Sequence, residues 1–446
     1  MTDNDILAAV KVLAESERGP HSRRLYRCLE SRELARALRQ NGPDWPYAEL
    51  YTYTADDLAA MRLVGCLPGS ETRLDREPIP EESLRRVHLV IFGAGSSAES
   101  LAVHAALVAH YPNAVRDPGL RTRISLVSGK MEDFLPFRQQ YAGLLEHCWC
   151  REVRIPGDQP ECVVEPPRYS AFRKDFTDIE WEFIEAEPTC PALRYKLTRW
   201  AEDPGRMLTL AFCRMDSERN LNDALALPEA LRDIPVWIRC ERDFIGAELM
   251  RDSGHPAFHP YWPEREVEAP APDFALPGLY VHYAYSQMHE VGETLLPAFE
   301  MPSRDELETR WAGLPTPKRW SSIYSAFTVP AKLRSVGIPE ERWDSLFSLT
   351  ARDVALLSEV EHNRWCVEEL ILGYVPLNET QREELRKDPS LRTAFKARRC
   401  HPDLIAYSEL GTDEAGRPVV RYDEAMIRSL PLLAYAYRTL QAERNV

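Results

Sequence analysis

Two stretches of the 446-residue chain carry side chains of a kind and spacing that chemistry needs. The first is Gly93-Ala94-Gly95-Ser96-Ser97-Ala98, a G-x-G-x-x-A turn that follows the apolar run 87–92 and opens the helical pattern AVHAALVAH. Gly93 allows a tight turn, Gly95 lets the backbone approach a pyrophosphate, and Ala98 permits close packing of helix on strand. The free N–H groups at the helix start then attract an anion. The second stretch is 357–374, LSEVEHNRWCVEELILGY. Leu357, Val360, Val367 and Ile371 line one helical stripe, and Arg364 falls inside it with Glu361 and Glu368 at its border. A charge inside an apolar stripe requires a partner, either those glutamates or an anionic ligand. Gly373 ends the helix.

Other chemistry finds little support. There is no G-x-S-x-G elbow, no H-E-x-x-H, no Walker lysine after the glycine turn and no evident Cys/His nucleophile pair, so an enzyme is not the leading reading. His255 and His259 are four apart, but Pro256 and Pro260 interrupt any helix that would face them together. Cys148 and Cys150 lack a matching second pair, and the ten cysteines read as reduced thiols, mostly buried. No metal site is expected.

The elements that must position these residues follow from periodicity. Residues 1–84 read as a helical N-terminal segment with helices at 5–14, 25–39 and 55–63, Thr54 capping the last, and 68–82 as a linker. Nearly continuous apolar runs at 87–92 and 124–127, then strands at 152–155, 181–186, 208–212, 236–239 and 279–283, alternate with helices at 192–200 and 220–231. That alternation predicts an α/β fold with a doubly wound, mostly parallel sheet over 85–290. Residues 254–277 read as a surface loop or lid, 291–317 as a helical connector, 379–396 as a solvated stretch, and 318–446 as a mainly α-helical domain. The second strand ends at Ser128-Gly129-Lys130, where an NAD site usually places Asp or Glu. With Arg121, Arg123 and Lys130 nearby, the expectation shifts to NADP, another phosphorylated nucleotide such as ADP-ribose, or a degenerate site.

The C-terminal motifs EHNRW…GY (361–374), HPDLIAYSEL (401–410) and RYDEAMIRSLPLL (421–433), preceded by WSSIYSAFTVPAKLRSVG (320–337), together resemble the ryanodine-receptor repeat in its bacterial version, over roughly residues 318–440. In such a module His362, Arg364, Trp365, His401 and Tyr407 are candidates for a pocket wall, an aromatic to stack on a base and Arg or His to meet phosphate. The alternative is that Trp365 and Tyr407 are core and His362 is a satisfied histidine on the outer face. LTLAFCRMDSERNLNDALALPEAL (208–231), followed by IPVWIRCERD (234–243), is similar to the Rossmann-like nucleotide-binding domain of potassium-transport regulators, the TrkA-N/RCK type. That resemblance would put Asp216, Asn220 and Arg239 at the ligand crevice beside Gly93, Gly95, Ser96, Ser97, Ser128 and Lys130. Their local alternative is a helix cap for Asp216 and an ion pair for Arg239.

A net charge of −15 disfavours general nucleic-acid binding, and no apolar run approaches a membrane span. With an acidic, amphipathic start in place of a signal peptide, the chain reads as cytoplasmic. The architecture implied by the two resemblances is a non-catalytic sensor of a nucleotide-derived signal in a bacterial antiviral system, with a homo-oligomer or an effector protein as further partners. The alternatives are an NAD(P)-dependent oxidoreductase using the same glycine turn, and a scaffold whose nucleotide site has decayed.

Overall fold

The computed structural model describes residues 2–16, 23–43, 45, 48–67, 70, 72–155, 162–164, 175–246, 257–263, 273–291, 302–343, 347–413 and 415–444. Its first 84 residues are not wholly helical. Between helices Asp3–Ser16 and Ala55–Leu63 lie two parallel strands, β1 (Arg23–Cys28) and β2 (Ala48–Tyr53), joined through helix Arg32–Asn41. The expected helix over 25–39 therefore divides. Leu25 and Leu29 have helical spacing, but the Ser31 hydroxyl accepts from the Leu34 N–H and fixes the helix start beyond them. The helix at 55–63 forms as expected, with Thr54 and Asp57 in a reciprocal capping box. All six residues of β2 are buried, and Tyr51 and Tyr53 belong to the main core, so this segment is part of the body.

The large sheet comprises β3 (Arg86–Phe92), β4 (Thr122–Ser128), β5 (Trp149–Arg154), β6 (Cys162–Val164), β7 (Ile179–Glu185), β8 (Arg206–Phe212), β9 (Val236–Arg239) and β10 (Phe258–Tyr261). Their order is β10-β9-β8-β3-β4-β7-β5-β6, parallel throughout except for the β5–β6 pair. All seven residues of β3 are buried, as a central parallel strand covered on both faces requires. The chain leaves β3 toward β4 on one side and returns to β8 on the other, so the sheet is doubly wound with a switch point between β3 and β8. Helices Pro191–Ala201 and Ser217–Leu225 cover one face. Helix Ser96–Val108 covers the other, and the N-terminal segment and C-terminal helices pack beyond it in the same core.

The strand expected at 279–283 is instead part of helix Leu276–Val291. Its run LYVHYAY has the apolar density of a strand, but the Asp273 carboxylate accepts from the Leu276 N–H at the helix start. A side chain at Gly278 would come within 2.9 Å of Ile323, so glycine permits this helix to lie directly on helix Thr316–Phe327. The final strand, β10, comes from within the expected loop 254–277 and pairs with β9 in register Phe258 to Val236. His259 stands in that strand, and His255 lies outside the described residues. In the expected connector, helix Arg304–Ala312 buries Trp311, whose indole donates to the Glu49 carboxylate and the Tyr51 hydroxyl at 2.9 Å each. No described helix is long and apolar enough to cross a membrane.

Candidate functional site

At the switch point the glycine turn has the expected backbone. Gly93 adopts φ +134°, and a Cβ there would lie 3.3 Å from the Cys213 carbonyl carbon after β8, so both the conformation and the close approach demand glycine. Gly95 precedes helix Ser96–Val108 with open space where a side chain would stand. The anion position is differently furnished. The Ser96 and Ser97 hydroxyls both donate to the Asp56 carboxylate, 2.6 Å from Ser96, and Ser100 donates to Asp57 at 2.9 Å. Asp56 and Asp57 belong to the first turn of helix Ala55–Leu63, so the N-terminal segment supplies carboxylates where a dinucleotide site has phosphate oxygens. Arg239 turns inward, donating to Ser97 Oγ at 3.0 Å and to the Met215 carbonyl at 3.2 Å.

The remaining residues expected in this crevice are engaged locally. Asp216 caps helix Ser217–Leu225 by accepting from the Arg219 N–H at 2.9 Å, which is the local alternative for that residue. Asn220 is buried and bridges the Arg214 and Arg239 carbonyls. Ser128 donates to Asp133 at 2.5 Å, and Lys130 is exposed. The structure thus brings Gly93, Gly95, Ser96, Ser97 and Arg239 together, but around an internal carboxylate.

The C-terminal helices enclose a cavity of about 450 Å³. Its central wall is helix Ala351–Ile371, initiated by a Thr350–Asp353 capping box and ended at Gly373, whose φ is +86°. Burial wraps nearly all round this helix from Leu357 onward, so the expected stripe is a central helix with polar groups buried on several faces. Arg364 is 1% exposed and paired with Glu361, at 3.0 Å from its Nε, and with Glu368. Its partners are therefore the helix's own carboxylates. Glu361 also meets Lys332 at 2.7 Å and Ser325 at 2.9 Å, and although burial opposes ionisation, Arg364 and Lys332 hold its carboxyl down at about 2.

His362 points both ring nitrogens at acceptors, the Ile405 carbonyl at 2.9 Å and Asp423 at 3.4 Å. A carbonyl only accepts, so Nε2 carries a proton, and the carboxylate at Nδ1 favours a second. Against burial, the Cys366 sulfur and Asp423 raise its pKa well above the ordinary histidine range. His401 has the opposite environment. Its Nδ1 accepts from the Asp403 N–H at 3.2 Å, which leaves Nε2 as the protonated nitrogen, and burial together with the charges of Lys396, Lys318 and Arg392 keeps the ring neutral.

Trp365 lies between these histidines, its ring centroid 5.6 Å from His362 and 4.8 Å from His401, and it is only partly buried on the cavity wall. Tyr407 stands behind His362 at 5.7 Å and does not line the cavity. Of the five residues expected in this module, four thus share one wall. Sequence reasoning missed Lys318, Arg392, Lys396, Asp403, Asp423 and Tyr285, which complete it. Arg392 and Lys396 sit one helical turn apart on Leu391–Ala397, just before His401, and that spacing was the available signal. Lys396 ends the stretch expected to be solvated, and Tyr285 lies just past the strand expected at 279–283.

Among the described residues no group of His, Cys, Asp and Glu could hold a metal ion. Compared with protein-family models, with curated proteins and with solved structures, the chain matches none.

Proposed function

We propose that the protein is a non-catalytic regulator that binds a nucleotide-derived ligand in the C-terminal cavity, and that the glycine turn serves as a structural joint. One observation carries this reading: a 450 Å³ cavity combines the accessible Trp365 ring with Lys318, Arg392 and Lys396, groups suited to a base and to phosphate. The glycine turn offers the weaker anion site, because Asp56 already holds its serine hydroxyls and a phosphate there would face that carboxylate. Among the described lining residues, His362 is held by Ile405 and Asp423 and the Nδ1 lone pair of His401 is taken by the Asp403 N–H, so neither ring is placed as a general base. Binding energy would be read out as a shift between packing states of the helical layer.

Thermal-shift screening of NAD, NADP, ADP-ribose and mononucleotides tests this, with the wild type, Lys396→Glu and Gly95→Asp compared. A stabilising ligand whose effect disappears in Lys396→Glu and survives in Gly95→Asp is the expected result. The reverse pattern would move the ligand to the glycine turn, and turnover of a reduced nicotinamide by the same protein would favour an oxidoreductase.

A further inference from the structure

The charges around the cavity do not cancel. Arg392 is paired with Asp403, Arg364 with Glu361 and Glu368, His362 with Asp423, and Asp413 with Arg421 at 3.0 Å. Two lining cations are left over. Neither Lys318 nor Lys396 forms an ion pair with another described residue, and both line the same cavity as His401. Beside them the protonated Nε2 of His401 has no hydrogen-bond partner among the described residues. Glu369, buried nearby, offsets this charge only in part, because burial lifts its carboxyl to about 7.

Building on the nucleotide reading of this cavity, we propose that its ligand carries a terminal phosphomonoester, a dianion seated between Lys318, Lys396 and the His401 N–H, and that singly charged phosphodiesters are discriminated against. Two ammonium groups match two charges. A monoester loses its second proton near pH ~6 and is therefore a dianion in neutral solution, whereas a cyclic diester carries one charge at the same place. A diester leaves one ammonium, exposed Lys318 or part-buried Lys396, without a counter-charge and presents fewer terminal oxygens to the His401 donor. Trp365, touching His401, places its aromatic face within reach of a base on the same ligand.

The test is calorimetric titration of the full chain with the common nucleoside 5′-monophosphates and their 3′,5′-cyclic counterparts, at fixed ionic strength and pH ~6.5, where a monoester is mostly a dianion and Glu369 mostly protonated. The best monophosphate should bind at least about tenfold tighter than its cyclic form, the effect of one charge-assisted contact. In the Lys318→Gln/Lys396→Gln double variant that ratio should fall to about twofold, while exposed Lys387→Gln should match the wild type. Cyclic forms binding as tightly as monophosphates, or an unchanged ratio in the double variant, would overturn the dianion inference and leave the nucleotide reading standing. Failure of every nucleotide to bind would overturn both.

Discussion

Glu369 is 2% exposed, and its Oε2 has no hydrogen-bond partner among the described residues. Burial raises its carboxyl to about 7; the Lys318 ammonium opposes the rise and neighbouring Glu368 adds to it. In the unfolded chain the same group ionises near 4.5. Because the folded state holds the proton more tightly, this residue's contribution is most favourable below the unfolded value and is lost as pH rises toward 7. Glu369→Gln keeps the shape and removes the ionisation. It should therefore stabilise the protein at pH 8 by up to about 3 kcal/mol, with almost no effect at pH 4. Urea denaturation at the two pH values measures the difference, and equal stabilisation at both would show that the carboxyl is ordinary. Arg364 makes the contrasting case at the same scale. Arg364→Met removes the buried cation of Glu368 while Glu361 keeps only Lys332, and should cost about 3–5 kcal/mol in the same urea denaturation.

At the scale of elements, the β3 turn and the helix after it are separable in their demands. Gly93→Ala forces a side chain to φ +134° against the Cys213 backbone and should cost about 1–3 kcal/mol. Gly95→Ser meets open space at a helix N-cap and should stay within about 1 kcal/mol of the wild type. Chemical denaturation of the two variants compares them directly, and a Gly95→Ser loss as large as that of Gly93→Ala would mean the turn is constrained beyond its backbone. Asp56→Ala should cost only about 0.5–1.5 kcal/mol, because exposed Ser96 turns to water and Ser97 keeps its bond from Arg239. In a Lys318→Gln/Lys396→Gln background, pyrophosphate should raise the melting temperature only when Asp56→Ala is also present.

The turn itself was legible because glycine spacing, the apolar strand and the helix start agree at one place in the sequence. Asp56 was not, since it reads there only as an acidic residue in a first helical turn. The buried strands were readable for the same local reason. Helix Leu276–Val291 was not, because an apolar aromatic run buried on several sides loses the periodicity that distinguishes helix from strand. The cavity was half legible: the long helix announced Arg364 and Trp365, while Lys318, Lys396 and Asp423 come from elements that meet only on folding.

Across the whole molecule, the N-terminal and helical regions are joined by polar contacts that a loosely tethered architecture would not bury. Arg24 meets Glu308 at 2.9 Å and Asp273 at 3.2 Å, Asp75 takes a bidentate pair from Arg334, and Trp311 reaches Glu49. One apolar core runs from Tyr51 and Leu58 through Leu89 and Leu101 to Trp320, Val367 and Leu432. Opening the helical layer alone would expose its face of that core together with these charges, so local unfolding there should come close to the global cost. Scanning calorimetry should accordingly show one transition, with the heat measured directly equal to that inferred from its width. A ligand bound only in the C-terminal cavity should then move the whole transition, sheet included, by the amount its affinity and concentration dictate. Two resolved transitions, of which the ligand shifts one, would show that the helical layer folds on its own and that binding there is not felt by the sheet. In the single-transition case, the cavity's occupancy is coupled to the stability of helix Ser96–Val108 and the Asp56 contact, and amide exchange in 96–108 should slow when the ligand binds.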